Sequence, residues 1–341
     1  MSLVIKRISI LALVLNIFIV SNAQDIHFSQ FLFSPLNLNP ALTGSFEGDL
    51  RAATNHKSQW QSFANAYSSF SASIDGNLKS PIVKPSFFGL GLLLNTDRAG
   101  DGNLTTNQVK LSAAWHLPIL KDSSLFFSLA GNVAYTSHGL NLSRLRFGNQ
   151  YFGGQYNPEI PHNEVLQAGT IKYFDYSAGV GLGYSGQENI TYQIGFSVQH
   201  INEPEKSFQD NNEITLPRKY TYHASAEWNI KDDLCIDPFI LFMHQGTYLQ
   251  ANFGSFIRIN YNPLGLKYVF AGISMRARDS GIATFGANYQ DIRIAISYDV
   301  NLSKLTAISR GRGSIELSLM YIFRKPRSFE APFYRKCPEF I

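Results

Sequence analysis

Residues 314–323, SIELSLMYIF, alternate between apolar and polar side chains over most of their length. A period of two places every second side chain on the same face of an extended strand, whereas in a helix these apolar side chains would surround the axis. The segment therefore predicts a strand with one apolar face. That face carries Ile315, Leu317, Leu319, Tyr321 and Phe323, and the opposite face carries Ser314, Glu316 and Ser318.

The same alternation recurs along the chain and predicts about fourteen strands of roughly 9–12 residues, the length that a tilted strand needs to cross a bilayer. Residues 292–300, IRIAISYDV, are a second clear example. The predicted strands are 49–60, 67–78, 87–97, 105–117, 123–136, 174–185, 190–200, 219–229, 234–243, 248–259, 267–278, 281–289, 291–300 and 313–323.

Composition and aromatic placement favour an all-β fold, a transmembrane antiparallel β-barrel, over a soluble β-sandwich. Aromatic residues make up 13% of the chain and charged residues only 16%, where soluble proteins have about a quarter charged. The mean hydropathy of −0.09 does not suit a protein with helical membrane spans. Interfacial aromatic girdles of a barrel would explain why Tyr176, Tyr184, Tyr298 and Tyr321 stand at the ends of apolar stripes.

Connection lengths give the expected orientation. Every second connection is short, and the three longest are 137–173, 201–218 and 301–312. Outer-membrane barrels have short periplasmic turns and long extracellular loops, so an even strand number predicts that both termini are periplasmic. We therefore expect the cell outer membrane as location and outer-membrane lipid as a partner.

The first 23 residues have the three parts of a secretory signal peptide. Lys6 and Arg7 precede an apolar run, residues 21–23 are small or polar, and the next residue is Gln24 rather than a lipoprotein cysteine. Without the two cations the 29 basic residues fall to 27 against 25 acidic ones, a balance that argues against nucleic-acid binding. The predicted organisation is signal peptide 1–23, plug or seal segment 24–48, barrel 49–323 and periplasmic tail 324–341.

Residues 24–44, QDIHFSQFLFSPLNLNPALTG, precede the first strand and are too apolar for a free tail. The predicted inward face is rich in small residues and carries charges of both signs, so we expect this segment to plug the lumen; the alternative is that it lies flat under the barrel mouth. Its candidate residues are Phe28, Gln30, Phe31, Pro35, Asn39, Pro40 and Gly44. The inward charges are Asp75, Lys110, Glu227, Arg258, Arg276, Arg293, Asp299 and Glu316.

Residue spacing does not indicate an enzyme, a cofactor or a metal site. The eight histidines show no metal-ligand spacing, and nucleophile or phosphate-loop motifs are not found. His116 and His223 are interpreted as ordinary polar residues of the inner wall. A disulfide between Cys235 and Cys337 is chemically possible in an oxidising compartment, but two isolated cysteines do not define one.

The chain resembles the PorP/SprF family of type IX secretion and gliding-motility outer-membrane proteins. The resemblance is carried by residues 24–44, by KSQW at 57–60, by residues 89–120 and by Cys337-Pro338. NPALTG at 39–44 is also similar to a luminal hatch segment of fatty-acid-transporter-like barrels. The family implies a non-enzymatic role in exporting or anchoring a secreted adhesin or other cargo with a type B C-terminal domain, or in contacting periplasmic peptidoglycan-associated or machinery proteins.

Two surfaces are candidates for these partners. Aromatic residues of the long loops, namely Tyr151, Phe152, Tyr156 and Phe208, are candidates for docking cargo, since aromatic side chains give large contact areas at interfaces. Phe333, Tyr334, Cys337 and Pro338 of the tail are candidates for docking a periplasmic partner. A passive or gated solute channel and a structural link to a periplasmic complex remain as alternatives.

Overall fold

The computed structural model describes most of the chain between residues 25 and 325. The signal peptide and most of the tail, with their predicted boundaries, lie outside the described residues. The described ranges are 25–59, 67–79, 86–100, 102–120, 124–141, 144–161, 169–185, 189–208, 214–261, 265–303, 306 and 311–325.

Fourteen antiparallel strands form one closed barrel in which each strand pairs with its neighbours along the chain. The first and last strands close the ring in continuous register from the pair Leu50–Phe323 to the pair Gln59–Ser314. Closure leaves no strand edge along the membrane, which hydrocarbon would not tolerate. The barrel strands are β1 Leu50–Gln59, β2 Tyr67–Lys79, β3 Phe87–Ala99, β4 Leu104–Pro118, β5 Leu125–Gly139, β8 Thr170–Ser185, β9 Ile190–Gln199, β10 Lys219–Lys231, β11 Leu234–Gln245, β12 Tyr248–Asn260, β13 Leu266–Arg276, β14 Ser280–Tyr289, β15 Ile292–Asn301 and β16 Arg312–Phe323; β6 Tyr151–Phe152 and β7 Gln155–Tyr156 form a separate hairpin.

The predicted barrel and its strand number are confirmed. Most boundaries differ from the prediction by three residues or fewer, but β8 begins at Thr170, four residues before the predicted start at 174. The extra residues continue the pairing with β5 as far as the pair Gly139–Thr170. The hairpin of β6 and β7 was not predicted.

The two faces of the barrel differ as the alternation predicts. Outward side chains are apolar and exposed, as Leu111, Ile273 and Phe285 illustrate. Inward side chains are largely polar and buried, and Glu316 and Ser318 are fully buried. Burial of polar groups inside the ring means that something other than bulk water fills the lumen.

The two ends of the barrel differ in their connections. Those at 80–86, 119–124, 186–189, 232–233, 261–265 and 290–291 lie at what we call the short-turn end, where β1 begins and β16 ends. The opposite loop end carries the long connections 140–169, 200–218 and 302–311. The predicted division between short and long connections is therefore confirmed, while the orientation of the two ends in the membrane stays a prediction.

Before β1 the chain folds into three single turns, a 3-10 turn Phe31–Phe33, a helix α1 Pro35–Leu38 and a second 3-10 turn Pro40–Leu42. Proline starts two of these turns, where its missing N–H costs nothing. The Asn39 side chain caps the last turn by accepting a hydrogen bond from the Ala41 N–H. No helix of the described residues has the length and apolar character needed to span a membrane.

Candidate functional site: the plugged lumen and the loop end

Residues 25–44, which we call the plug segment, run through the lumen from the loop end to the short-turn end. All seven predicted plug residues are buried, and Asn39 is fully buried. The alternative placement flat under the barrel mouth is therefore wrong for this segment. Hydrogen bonds to the wall occur at each level of the lumen.

At the short-turn end a buried ion pair holds the end of the plug segment. Arg51 of β1 and Asp75 of β2 form a two-pronged pair with N–O distances of 2.9 and 2.7 Å. The Asp75 carboxylate also accepts a hydrogen bond of 2.7 Å from the Gly44 N–H, and Arg51 donates one of 2.9 Å to the Leu42 carbonyl. Charge-assisted bonds of this kind are stronger than neutral ones.

In the middle of the lumen Asn39 connects the plug segment to three strands. Its amide nitrogen lies 3.1 Å from the Val180 carbonyl oxygen, 3.3 Å from the Phe196 carbonyl oxygen and 3.1 Å from Nε2 of His223. A Cβ atom at the wall residue Gly179 would collide with the Asn39 side chain. The small inward residues that the sequence shows therefore make room for the plug segment.

Two histidines that the sequence analysis interpreted as ordinary wall residues bind the plug segment. His116 Nε2 lies 2.8 Å from the carbonyl oxygen of Thr43, so this nitrogen carries the proton, and Nδ1 lies 2.7 Å from the Ser128 hydroxyl. His223 has the opposite role, because its Nε2 accepts a hydrogen bond from the Asn39 amide N–H. Both side chains lie on the inner wall and face the plug segment, a contact that the sequence did not indicate.

Aromatic packing fixes the other side of the plug segment. Phe31 meets Phe239 of β11 edge to face with ring centroids 5.5 Å apart, and Phe33 stacks on Phe270 of β13 at 5.9 Å. These rings belong to one buried cluster between the plug segment and the wall. Aromatic pairs contribute about 0.5–1.5 kcal/mol each beyond the area that they bury.

Nearer the loop end the plug backbone binds a carboxylate of the last strand. Glu316 accepts hydrogen bonds from the N–H groups of Ser29 and Gln30, at 2.7 and 3.0 Å. The Ser29 hydroxyl donates to Asp299 at 2.7 Å and accepts from Arg276 at 2.6 Å. Charges of both signs thus close around two residues of the plug segment.

A charged cluster at the loop end holds the start of the plug segment. His200, directly after β9, lies 2.5 Å from an Asp25 oxygen through Nε2 and 2.7 Å from an Asp175 oxygen through Nδ1. Lys219 Nζ lies 3.7 Å from Asp25. Both chain termini were expected at the side of the short turns, but the described start of the chain lies at the opposite end, because this cluster binds it there.

The cluster shifts the pKa values of its members in opposite directions. Burial alone would raise the pKa of Asp25, but the positive charges of His200 and Lys219 and the hydrogen bond from His200 hold it well below its ordinary value. Burial alone would lower the pKa of His200, but the charge of Asp25 and the bonds to Asp175 and Asp25 raise it above its ordinary value. The charged forms therefore stabilise each other.

We expect the start of the plug segment to loosen as the pH rises through the raised pKa of His200. Stabilisation by His200 is fully present below its ordinary pKa of 6.5 and is lost above its pKa in the folded protein. Stabilisation by Asp25 has the opposite sign and is lost only as the pH falls through its depressed pKa. Hydrogen exchange of residues 25–30, corrected for intrinsic rates, measures the effect; His200→Gln should flatten the profile, and an unchanged profile would contradict the assignment.

Five of the eight predicted inward charges are buried in the lumen, and the other three, Glu227, Arg258 and Arg293, are more exposed. Arg258 binds Glu227 at 2.9 Å and Asp237 at 3.1 Å near the short-turn end, where Glu227 is half exposed. Arg293 lies over the rings of Phe33 and Tyr268. The buried members are Asp75, Lys110, Arg276, Asp299 and Glu316.

Three of the four predicted docking aromatics come together on the hairpin of β6 and β7. The rings of Tyr151 and Tyr156 lie 5.6 Å apart, and Phe152 at the tip is 83% exposed. Gly153 and Gly154 both have positive φ, as a two-residue turn between such strands requires. Phe208 lies elsewhere, stacked on His138 of the barrel rim at 5.4 Å.

The remaining predicted residues bear on the tail, the cysteines and metal binding. Phe333, Tyr334, Cys337 and Pro338 lie outside the described residues, so the proposed disulfide and the tail surface stay predictions. The Cys235 thiol lies 2.7 Å from Oδ1 of Asn229. Within the described part of the chain, His, Cys, Asp and Glu side chains form no group of three or more that could hold a metal ion.

Comparisons with known proteins bear on the family of the chain and, separately, on its fold. The family model described as type IX secretion system membrane protein PorP/SprF matches residues 20–321. No curated protein sequence matches the chain. Among solved structures, the Pseudomonas putida toluene transporter TodX is similar, at 12% identity and a TM-score of 0.51, over 84% of this chain and 92% of that chain.

A second solved structure has a lower score. The Ralstonia pickettii toluene transporter TbuX is 11% identical with a TM-score of 0.48, over 86% of this chain and 94% of that chain. Because the sequence identity to TodX is only 12%, this similarity shows a shared fold and not a shared function.

Proposed function

Because the chain belongs to the PorP/SprF family of type IX secretion system membrane proteins, we propose that it helps to export or anchor a secreted protein at the cell surface. The cargo would be an adhesin or similar protein with a type B C-terminal domain. The observation that carries this proposal is the filled lumen, which is bound to the wall at every level from Asp25 to Gly44. A barrel closed in this way suits a rigid platform for another protein better than a path for solutes.

The loop end is the natural docking side for such cargo. Its hairpin presents Phe152 next to a two-glycine turn, with 83% of its surface exposed. A large exposed ring on a short, defined hairpin is costly in water and gains contact area when a partner covers it. The proposal puts the loop end outside the cell and the short-turn end in the periplasm.

A periplasmic partner belongs to the same proposal as a second contact. Arg324, just after β16, pairs with Asp291 at 2.7 Å, and the Lys325 N–H donates to Asp49 at 2.6 Å. These bonds direct the chain along the short-turn end as it leaves the barrel. Residues 328–341 would then meet a peptidoglycan-associated or machinery protein, and their deletion should abolish its capture while leaving cargo capture intact.

Purification of the tagged protein from native outer membranes tests the proposal. Recovery of an exported protein identified by its peptides supports cargo anchoring, and recovery of periplasmic lipoproteins alone supports a structural link instead. Recovery of neither, together with solute uptake into liposomes by the intact protein, would favour the channel alternative and contradict the proposal.

We expect Phe152→Ser to weaken cargo binding about tenfold, since central aromatic contacts of an interface typically contribute 1–2 kcal/mol or more. The ring is largely exposed and makes no contribution to the barrel wall, so the thermal stability should not change. Tyr261→Ser is the matched control, because Tyr261 is an exposed aromatic residue at the short-turn end. Equal losses of cargo in both variants would argue against docking at the hairpin.

A further inference from the structure

The wall of the barrel has unequal height at the loop end. β8 pairs with β5 over its whole length, from Thr170 to Tyr184. Its pairing with β9 begins only at Ala178, because β9 ends at Gln199. The first residues of β8 therefore have a neighbouring strand on one side only.

Hydrogen bonds define which backbone groups face the open side. The Tyr176 carbonyl accepts a bond of 3.0 Å from the Ile201 N–H, and the Tyr176 N–H donates to Oδ1 of Asn202 at 3.2 Å. The Asn202 amide also donates to the Phe174 carbonyl at 2.8 Å. Since β8 and β5 keep one register without a bulge, Phe174 and Lys172 face the same way as Tyr176.

Asn202 is the last partner along this edge. Beyond it the Phe174 N–H and both backbone groups of Lys172 have no hydrogen-bond partner among the described residues. β9 ends just before this point, and His200 and Glu203 adopt positive φ angles at the start of the following connection. An edge with free donors and acceptors is a template for pairing with another strand.

The outward side chains place this edge above the membrane interface. One row across the strands consists of Val109, Tyr135 and Phe174, an apolar and aromatic row typical of an interfacial girdle. The next row toward the loop end consists of Asn107, Ser137 and Lys172, which are all polar. Among the described residues nothing pairs with this edge, so it meets water, where a partner protein can reach it.

We propose that an extended segment of the exported cargo adds a strand to this free edge of β8. Only an extended backbone presents donors and acceptors at the spacing that Lys172 and Phe174 offer, and such strand addition is an established mode of peptide recognition. Cross-strand pairing favours an acidic side chain opposite Lys172 and an apolar or aromatic one opposite Phe174. The identity of the added strand as part of an exported protein rests on the proposed function, whereas the free edge is a property of the barrel alone.

Lys172→Pro tests the pairing without disturbing the barrel. Proline removes the N–H that faces the open side, and the bonds between β8 and β5 use the alternate residues, so the edge position tolerates it. We expect at least a tenfold loss of an identified exported protein from the purified complex. Lys172→Ala, which keeps the N–H and removes the charge, should lose roughly threefold or less.

The outcomes separate the two proposals. Equal cargo recovery with Lys172→Pro and wild type would overturn strand addition and leave anchoring intact, whereas no exported protein with the wild type would overturn both the function and this occupant. Amide exchange in the purified barrel checks the edge itself. We expect the Lys172 amide to exchange rapidly, while the neighbouring Tyr173 amide is protected. Protection of the Lys172 amide in the absence of cargo would overturn the proposal. A crosslink at this edge to a second copy of the chain would also overturn it.

Discussion

Deletion of residues 25–44 is expected to turn the closed barrel into an ion-conducting pore. The deletion removes plug groups that are hydrogen-bonded to the wall. The wall groups that lose partners are the Asp75 carboxylate, the carbonyls that accept from Asn39, and the Glu316 carboxylate. Polar and charged wall groups without partners require water, so the emptied lumen must hydrate. Single-channel recording in planar bilayers should show steps for the deletion variant and none for the wild type.

A wall substitution gives the same test without shortening the chain. A Cβ atom at Gly89 would collide with the Thr43 carbonyl, so Gly89→Leu should displace the plug segment and produce conductance. Gly131→Leu is the matched control, because a Cβ atom at Gly131 meets nothing closer than 3.4 Å. Silent bilayers with the folded deletion variant would contradict the assignment of residues 25–44 as the seal.

Glu316→Ala is expected to be the most destabilising single substitution in the lumen. Glu316 is fully buried and accepts the N–H groups of Ser29 and Gln30, and it faces Lys57 across the β1–β16 pair. Its loss leaves two donors and nearby positive charge uncompensated in a buried site. Removal of one partner from such a buried network costs about 3–5 kcal/mol.

Denaturant unfolding of the detergent-solubilised barrel measures this effect, and Glu227→Ala is the control. The Glu227 carboxylate also forms an ion pair, with Arg258, but the Glu227 side chain is 51% exposed. Its removal should therefore lower the free energy of unfolding by about 1 kcal/mol or less. Similar shifts for the two variants would show that Glu316 does not hold the plug segment through a buried contact. The intermediate substitution Glu316→Gln keeps one acceptor and should fall between them.

The barrel could be predicted because a period of two is a local property of the sequence. Residues 314–323 show their two faces without reference to any other part of the chain, and the loop lengths distinguish the two ends. The inward direction of Asp299 and Glu316 follows from the same alternation. The seven plug residues could be predicted because they belong to an apolar segment without strand periodicity, and such a segment must be buried against another part of the protein.

The contacts between individual plug and wall residues could not be predicted. They depend on the register of many strands and on how far along the barrel axis each residue lies. Ser29 and Glu316 are 287 positions apart in the sequence and meet only after the ring has closed. The predicted strand 190–200 included His200, but β9 ends at Gln199 and His200 binds Asp25 at the loop end. The hairpin of β6 and β7 had a usable signal, since Gly153-Gly154 between aromatic residues is typical of a two-residue turn.

The path of the plug segment restricts the order in which the protein can assemble. Its first described residue binds at one mouth, its last enters β1 at the other, and β16 supplies the Glu316 that holds Ser29 and Gln30. A segment threaded lengthwise through a finished ring would have to drag Asp25 past the aromatic cluster around Phe239. The ring therefore closes around a segment already in position, and the last strand to be made is the one that locks it.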